Sequence, residues 1–205
     1  SDAYEPNAEW LASQCKAAEE SARGVPGITN SEGADANYSK SSITLGIAAG
    51  KNISFAESYQ SSHFSVSVSV LAGSGTGMER DYDFTSAHHK SDLAEAASVG
   101  LQAAQLALKR LHPRKVATCQ APVIFDPRVS KSLLATLAGA ISGAAIARGS
   151  SFLNDAMDKQ IFAKSITVID DPHIRRGHAS RPFDAEGVAN RKRALVEDGV
   201  LKSWL

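Results

Sequence analysis

The sequence predicts an α+β protein: an N-terminal antiparallel sheet flanked by helices, then the start of a second α+β domain with a buried Ala/Gly-rich helix. Three observations carry this. Residues 28–85 are rich in Ser, Thr, Val, Ile, Tyr and Phe with Gly punctuation, and His63-Phe64-Ser65-Val66-Ser67-Val68-Ser69-Val70 alternates strictly between polar and apolar side chains. A period of two belongs to a strand with one buried and one wet face, the habit of antiparallel sheets. Apolar residues at helical spacing lie on both sides of this stretch. After Pro113 the pattern changes to short β-like runs and one long apolar segment, which divides the chain into residues 1–113 and 114–205.

Pro6 suits the first turn of a helix, and Trp10, Leu11, Cys15 and Ala18 follow at helical spacing until Gly24 and Pro26 stop it. The first helix is therefore expected over residues 5–23. In the meander, Phe64, Val66, Val68 and Val70 should face the core. Gly73-Ser74-Gly75-Thr76-Gly77 reads as a hairpin connection, because it lacks the Lys-Ser/Thr ending and the strand–turn–helix order of a phosphate loop. Ser91-Asp92 should start a second helix with Leu93, Ala96, Ala97, Leu101, Ala104 and Leu108 along one side, ending near Leu111.

Beyond Pro113, residues 114–118 and 123–125 read as short strands, followed by a turn at Asp126-Pro127 and an uncharged helix through residues 133–147. A membrane span needs about 20 apolar residues, and this run is shorter and built from Ala and Gly. It is expected to be a core helix whose small-residue stripe, Ala135, Gly139, Gly143 and Ala147, packs under a sheet. Residues 165–169 read as another strand. Residues 171–190 have no periodicity and read as a long loop, and residues 193–197 and 200–205 flank Asp198-Gly199, a strong hairpin signal.

Twenty-two basic and 22 acidic side chains cancel, so no long-range field draws the chain to nucleic acid or anionic lipid. No direct nucleic-acid partner and no membrane are expected. Two cysteines far apart give no disulfide framework, which suits a reducing cytoplasm. The first ten residues, SDAYEPNAEW, carry neither the basic nor the apolar region of a signal peptide.

Few clusters carry chemistry. His88-His89 sits at the corner between sheet and helix, and adjacent residues in extended backbone point to opposite sides, so one metal ion cannot easily take both. Asp170, Asp171, His173 and His178 form a denser group in the long loop. There they either ligate a metal or sit in a charge-balanced loop in which Arg175, Arg176 and Arg181 neutralise Asp170, Asp171 and Asp184. With Glu186, the group Arg175, Arg176, Arg181 and Asp184 is also the candidate surface for a partner subunit or peptide, because loops carry binding sites and arginines favour interfaces. Met78-Glu79-Arg80-Asp81-Tyr82 reads as a strand with cross-strand ion pairs. Ser132, Ser142, Ser150 and Ser151 stand in no nucleophile elbow.

GITNSEG at 27–33, GMERDYDFT at 77–85, RPFDAEGV at 181–188 and the ending VEDGVLKSWL together resemble the TldD/PmbA family, also labelled modulator of DNA gyrase, in its PmbA (TldE) branch. These motifs run through nearly the whole chain in family order. The resemblance implies an interior fragment of a longer protein. It also implies that a Leu-Leu pair is followed, in the active members, by a His-Glu-x-x-x-His metal motif. Here Leu133-Leu134 is followed by Ala135, Thr136, Leu137, Ala138, Gly139 and Ala140, so the two imidazoles fall at Ala135 and Ala140 and the general-base carboxylate at Thr136. A methyl group has no lone pair for zinc, and a hydroxyl cannot serve as that base. The family's third ligand, a cysteine, would lie beyond Leu205, and neither Cys15 nor Cys119 matches it.

The resemblance therefore implies a non-catalytic subunit: no catalytic residue and no cofactor in this chain, zinc in a TldD-type peptidase partner, and a cytoplasmic complex that matures peptides or degrades unfolded ones. A self-sufficient metallopeptidase with a metal site displaced to Asp170, Asp171, His173 and His178 is the alternative. A gyrase- or nucleic-acid-associated modulator is a third reading, which the neutral charge does not support.

Overall fold

The computed structural model describes the backbone of residues 1–49 and 52–205, and the side chains of all of these except residues 49 and 52–54. The part of the expected meander at residues 50–51 lies outside the described residues. The chain forms two compact units: one of Ser1–Val116 with Arg175–Ala179 and Phe183–Val188, the other of Ala117–Ile174, Ser180–Pro182 and Ala189–Leu205.

In the first unit, helix α1 (Ala8–Arg23) precedes a three-stranded antiparallel sheet, β1 (Ile28–Ala49), β2 (Asn52–Ala72) and β3 (Glu79–Ala87), and helix α2 (Ala96–Arg110) follows. Helix α1 starts later than its proline suggests. Asn7 is the N-cap, its Oδ1 accepting from the Trp10 N–H at 2.9 Å, and Pro6 stands before the cap. The alternation in β2 resolves as its period dictates. Phe64, Val66, Val68 and Val70 are each no more than 2% exposed: the three valines pack with Ala18 and Ala22 of α1 and Val99, Ala103 and Ala107 of α2, while Phe64 lies among the rings of Tyr4, Trp10 and Tyr38. The glycine-rich connection leads from β2 to β3 through a single 3-10 turn, Gly75–Gly77.

Helix α2 is rotated from the expected face: Ala96, Val99, Gly100, Ala103, Ala104 and Ala107 are buried, and Leu101 is exposed. The small residues face inward because α1 crosses too closely for leucine. A Cβ on Gly100 would lie 2.0 Å from the Ala18 carbonyl oxygen, and the Ser21 hydroxyl donates across the crossing to the Ala97 carbonyl at 2.8 Å. Residues 90–92 form a separate 3-10 turn, Lys90–Asp92, where the sequence suggested the helix would begin.

Strand β3 pairs only with Phe64–Ala72 of β2, so beyond that point β1 and β2 continue as a two-stranded ribbon. The ribbon is covered by chain from the long loop. Phe183, 5% exposed, stands edge-on to Phe55 and Tyr59, and Gly187 lies so close to Ile47 and Phe55 that a Cβ there would meet Ile47 at 2.6 Å.

The second unit contains α3 (Pro127–Ala140), the short α4 (Gly143–Ala147) and a sheet of β4 (Val168–Asp170), β5 (Arg193–Glu197) and β6 (Val200–Leu201). Leu137, Ile141, Ala156, Leu195, Val196 and Leu201 form its core. Asp198 (φ 47°) and Gly199 (φ 80°) both take positive φ, which is what the β5–β6 hairpin requires of its two central residues. The expected long helix over 133–147 is broken at Ile141-Ser142, where Leu205 takes up its backbone groups: Leu205 N–H donates to the Ile141 carbonyl at 2.8 Å and Gly143 N–H to the Leu205 carbonyl at 2.6 Å. Nor is the small-residue stripe packed under a sheet. Nothing lies within 4 Å of a Cβ on Gly139, and Ala135 is exposed. Residues 114–118 and 123–125 form no strands, since no described segment pairs with them, and Val116 and Ile124 are almost fully exposed.

Candidate functional site

Helix α3 carries the positions on which the functional reading turns. Its start follows from sequence: Asp126 accepts at Oδ1 from Arg128 N–H at 2.9 Å, and Pro127 occupies the first turn, where its missing N–H is harmless. Ala135 and Thr136 are exposed, and Ala140 is 8% exposed in the last turn. The Thr136 hydroxyl donates back to the Ser132 carbonyl at 2.9 Å, a local helix bond that uses its only proton. Zinc is held by thiolate, imidazole or carboxylate. Two methyl groups and a hydroxyl already bonded to the helix are not such a donor set, so these residues do not fit the metal.

The long loop places its candidates apart. Asp171 accepts from Lys192 Nζ at 3.0 Å and from the His173 N–H, and the Lys192 ammonium first, then that amide, hold its carboxyl below the usual range. Asp170 pairs with Arg193 at 3.4 Å. His173 is exposed, and His178 stands in the first unit among other histidines. Among the described residues no group of three or more His, Cys, Asp or Glu is arranged to hold a metal ion. The expected neutralisation of the loop's acids by its own arginines also differs. Arg176 reaches both oxygens of Asp92, at 2.8 and 3.0 Å, and keeps that carboxyl below its ordinary range. Asp184 organises its own turn, accepting from the Glu186 and Val188 N–H groups at 2.9 Å each, while Arg175, Arg181 and Glu186 are exposed. RPFDAEGV is thus a capped turn that presents Phe183 to the ribbon.

At the corner after β3 the two histidines do point apart. His89 faces Asp2 at 3.9 Å, and Asp2, which accepts from the Tyr4 and Lys90 N–H groups, is held below the usual carboxylate range chiefly by the Tyr4 amide. His88 turns the other way. Its Nδ1 meets the Ser62 carbonyl, its Nε2 lies 3.2 Å from the His178 carbonyl, and its ring is 6.2 Å from His63 and 5.5 Å from His178. The sequence does not disclose this three-histidine cluster. Only the parity of His63 on β2, opposite in sense to buried Phe64, hints that it faces away from the core.

The signature MERDY divides its charges. Arg80 donates to Glu32 at 3.2 Å beside the Ser69 hydroxyl, a rung across all three strands, whereas buried Asp81 receives Arg110 of α2 at 3.1 Å. On that wet face Glu32, Asp35, Ser67, Arg80 and Tyr82 border an open depression of ≈ 460 Å³. No described helix is long and apolar enough to cross a membrane.

Residues 118–205 match the PmbA/TldA metallopeptidase C-terminal domain, and residues 55–111 match the central domain of the same family. The chain is similar to the metalloprotease PmbA of Escherichia coli O157:H7, with 40% identity over 178 residues that cover 87% of this chain and 39% of that relative. A crystal structure from Bacteroides thetaiotaomicron, assigned as a DNA gyrase modulator, superposes with a TM-score of 0.87 at 26% identity over 97% of this chain and 45% of the other. TldE from Thermococcus kodakarensis shares the fold, with a TM-score of 0.73 at 17% identity over 98% of this chain and 45% of TldE. The chain thus spans less than half the length of these relatives.

Proposed function

Because the chain belongs to the PmbA/TldD metallopeptidase family, we propose that it is part of the non-catalytic subunit of a cytoplasmic TldD/TldE-type complex that matures peptides and degrades unfolded ones. In this reading residues 114–205 are part of the C-terminal domain, residues 1–113 part of what precedes it, including the central-domain stretch at 55–111, and a TldD-type partner holds the zinc. The observation that carries it is α3: Ala135 and Ala140 offer methyl groups and Thr136 a hydroxyl already bonded to Ser132. No water can be activated there by a metal, and no carboxylate stands by to take its proton.

What this chain would contribute is scaffold and surface. The ribbon of β1 and β2 and the turn at Asp184 hold a shaped, hydrogen-bonded face, with Arg175, Arg181 and Glu186 exposed along the loop for contact with the partner or a peptide. The balanced charge favours neither DNA nor anionic lipid, so a gyrase connection would be indirect. The test is to purify the full-length protein and a TldD-type peptidase separately, and to assay cleavage of an unfolded peptide before and after mixing. Cleavage that rises on mixing, and that survives substitution of any exposed polar residue of α3, supports the reading. Cleavage by the full-length chain alone overturns it.

A further inference from the structure

The three histidines come from three separate stretches: His63 from β2, His88 from the turn after β3, and His178 from Arg175–Ala179, a stretch of the long loop that folds into the first unit. Their ring centres lie 5.5, 6.1 and 6.2 Å apart. Two of the contacts are backbone contacts. His88 sits between the Ser62 carbonyl on β2 and the His178 carbonyl on the loop, so one imidazole bridges sheet and loop. Its two ring nitrogens face two acceptors, and an imidazole donates to both only when it carries a proton on each nitrogen. A neutral ring donates to one of the two, and the Ser61 hydroxyl also lies 3.4 Å from Nδ1.

The charges bearing on His63 are those of His178 and His88, both cationic when protonated, and no carboxylate is among them. The nearest carboxylates are engaged elsewhere. Asp2 is taken by the Tyr4 and Lys90 amides and faces His89, and Asp92 is taken by Arg176. Of the other charged side chains on the packed elements, Lys90 has its ammonium over the Tyr4 ring, Lys40 of β1 is paired with Glu5, and Glu57 of β2 and Arg175 of the loop are exposed. His63 and His88 are half-buried and His178 is exposed, and two imidazolium rings about 6 Å apart there repel one another.

We propose that the His63–His88–His178 cluster is a proton-sensitive fastener that holds residues 175–179 on the N-terminal sheet at neutral pH and releases them when it takes up protons. Burial, then His178 and His88, hold His63 below the ordinary imidazole range. The sign follows: the docked state binds fewer protons than the released one. Docking is complete above the ordinary imidazole range and weakens as pH falls below it, by about tenfold per pH unit for each proton taken up on release. The ion pair of Arg176 with Asp92 has no part in this window, because both stay charged through it.

The test is amide hydrogen exchange on the full-length protein at pH 7.5, 6.5 and 5.5, with chemical exchange rates corrected for pH. Residues 175–179 are expected to lose protection about tenfold or more between the first and last condition, while residues 64–72 of β2 keep theirs. His63→Gln, neutral throughout, is expected to remove most of that loss. Equal protection at all three values, or an unchanged loss in His63→Gln, overturns the proposal. If that variant does not fold, proton NMR titration of the wild-type imidazoles decides it: coupled steps agree, and three independent single-proton curves overturn it. Protection gained by adding zinc at pH 7.5, and lost in His63→Gln, would assign the cluster to a metal and also overturn it.

Discussion

In the first unit the apolar side of β2 lies under α1 and α2 and is closed to solvent, whereas in the second α3 buries Leu137 and Ala140 and leaves Leu133 and Leu134 53% and 57% exposed. The difference lies in how each pattern meets its partner. Strand alternation produces one apolar face, and the two helices that cover it flank the sheet in sequence. Helix α3 is apolar on several sides, and a helix of that kind buries only as much as its neighbours can cover. The first unit is therefore specified by local sequence, and the second by what packs on it.

The largest contrast should come from truncating one side chain in each unit. Phe64→Ala is expected to cost about 4 kcal/mol, while Leu134→Ala in the 205-residue chain should stay within about 0.5 kcal/mol. Urea unfolding of both variants checks this. A large cost for Leu134→Ala in the full-length protein only would reveal a covering surface supplied by the rest of the chain, and a large cost in both would break the comparison. Next, Gly100→Ala forces a methyl group against the Ala18 carbonyl and should lower stability by about 3 kcal/mol. A tolerated alanine would mean that α1 and α2 cross less closely than described.

Within the second unit, Gly199→Ala tests whether the hairpin turn is as demanding as its φ of 80° and the nearby Phe162 carbonyl imply. A loss of about 2 kcal/mol is expected, read as a lowered midpoint of thermal unfolding. The smallest effect concerns pH. Arg176 keeps the Asp92 carboxyl below its ordinary range, so the pair's contribution is present above that range and is lost as pH falls through the lowered value. Carboxyl NMR should show that titration moving back up in Arg176→Gln. An unmoved curve would detach the loop from the Lys90–Asp92 turn.

Much of this was legible from residue order. Alternation gave β2 its buried face, Gly73–Gly77 its connection, and Asp198-Gly199 the β5–β6 turn, because each depends on neighbours within a few positions. The later start of α1 and the separate Lys90–Asp92 turn are local misses, and the larger ones are tertiary. Helix α2 turns Ala and Gly inward, not Leu101, because α1 crosses so closely. The apolar run ends at Ala140 because Leu205 competes for its backbone. Pairing Asp171 with Lys192 and Arg176 with Asp92 involves residues whose proximity no local pattern encodes. At α3 the reverse holds. That Ala135 and Ala140 end in methyl groups and Thr136 in a hydroxyl is a statement about side-chain chemistry, which sequence carries in full.

Zinc content tests whether α3 holds a metal. The full-length protein should be purified alone, exposed to excess zinc, passed through a desalting column and analysed for metal per chain, beside a TldD-type peptidase treated the same way. Stoichiometric zinc is expected in the peptidase and only traces in this protein. One zinc per chain in the protein alone, retained when His173 and His178 are replaced together by alanine, would contradict that expectation and point to ligands outside both α3 and the long loop.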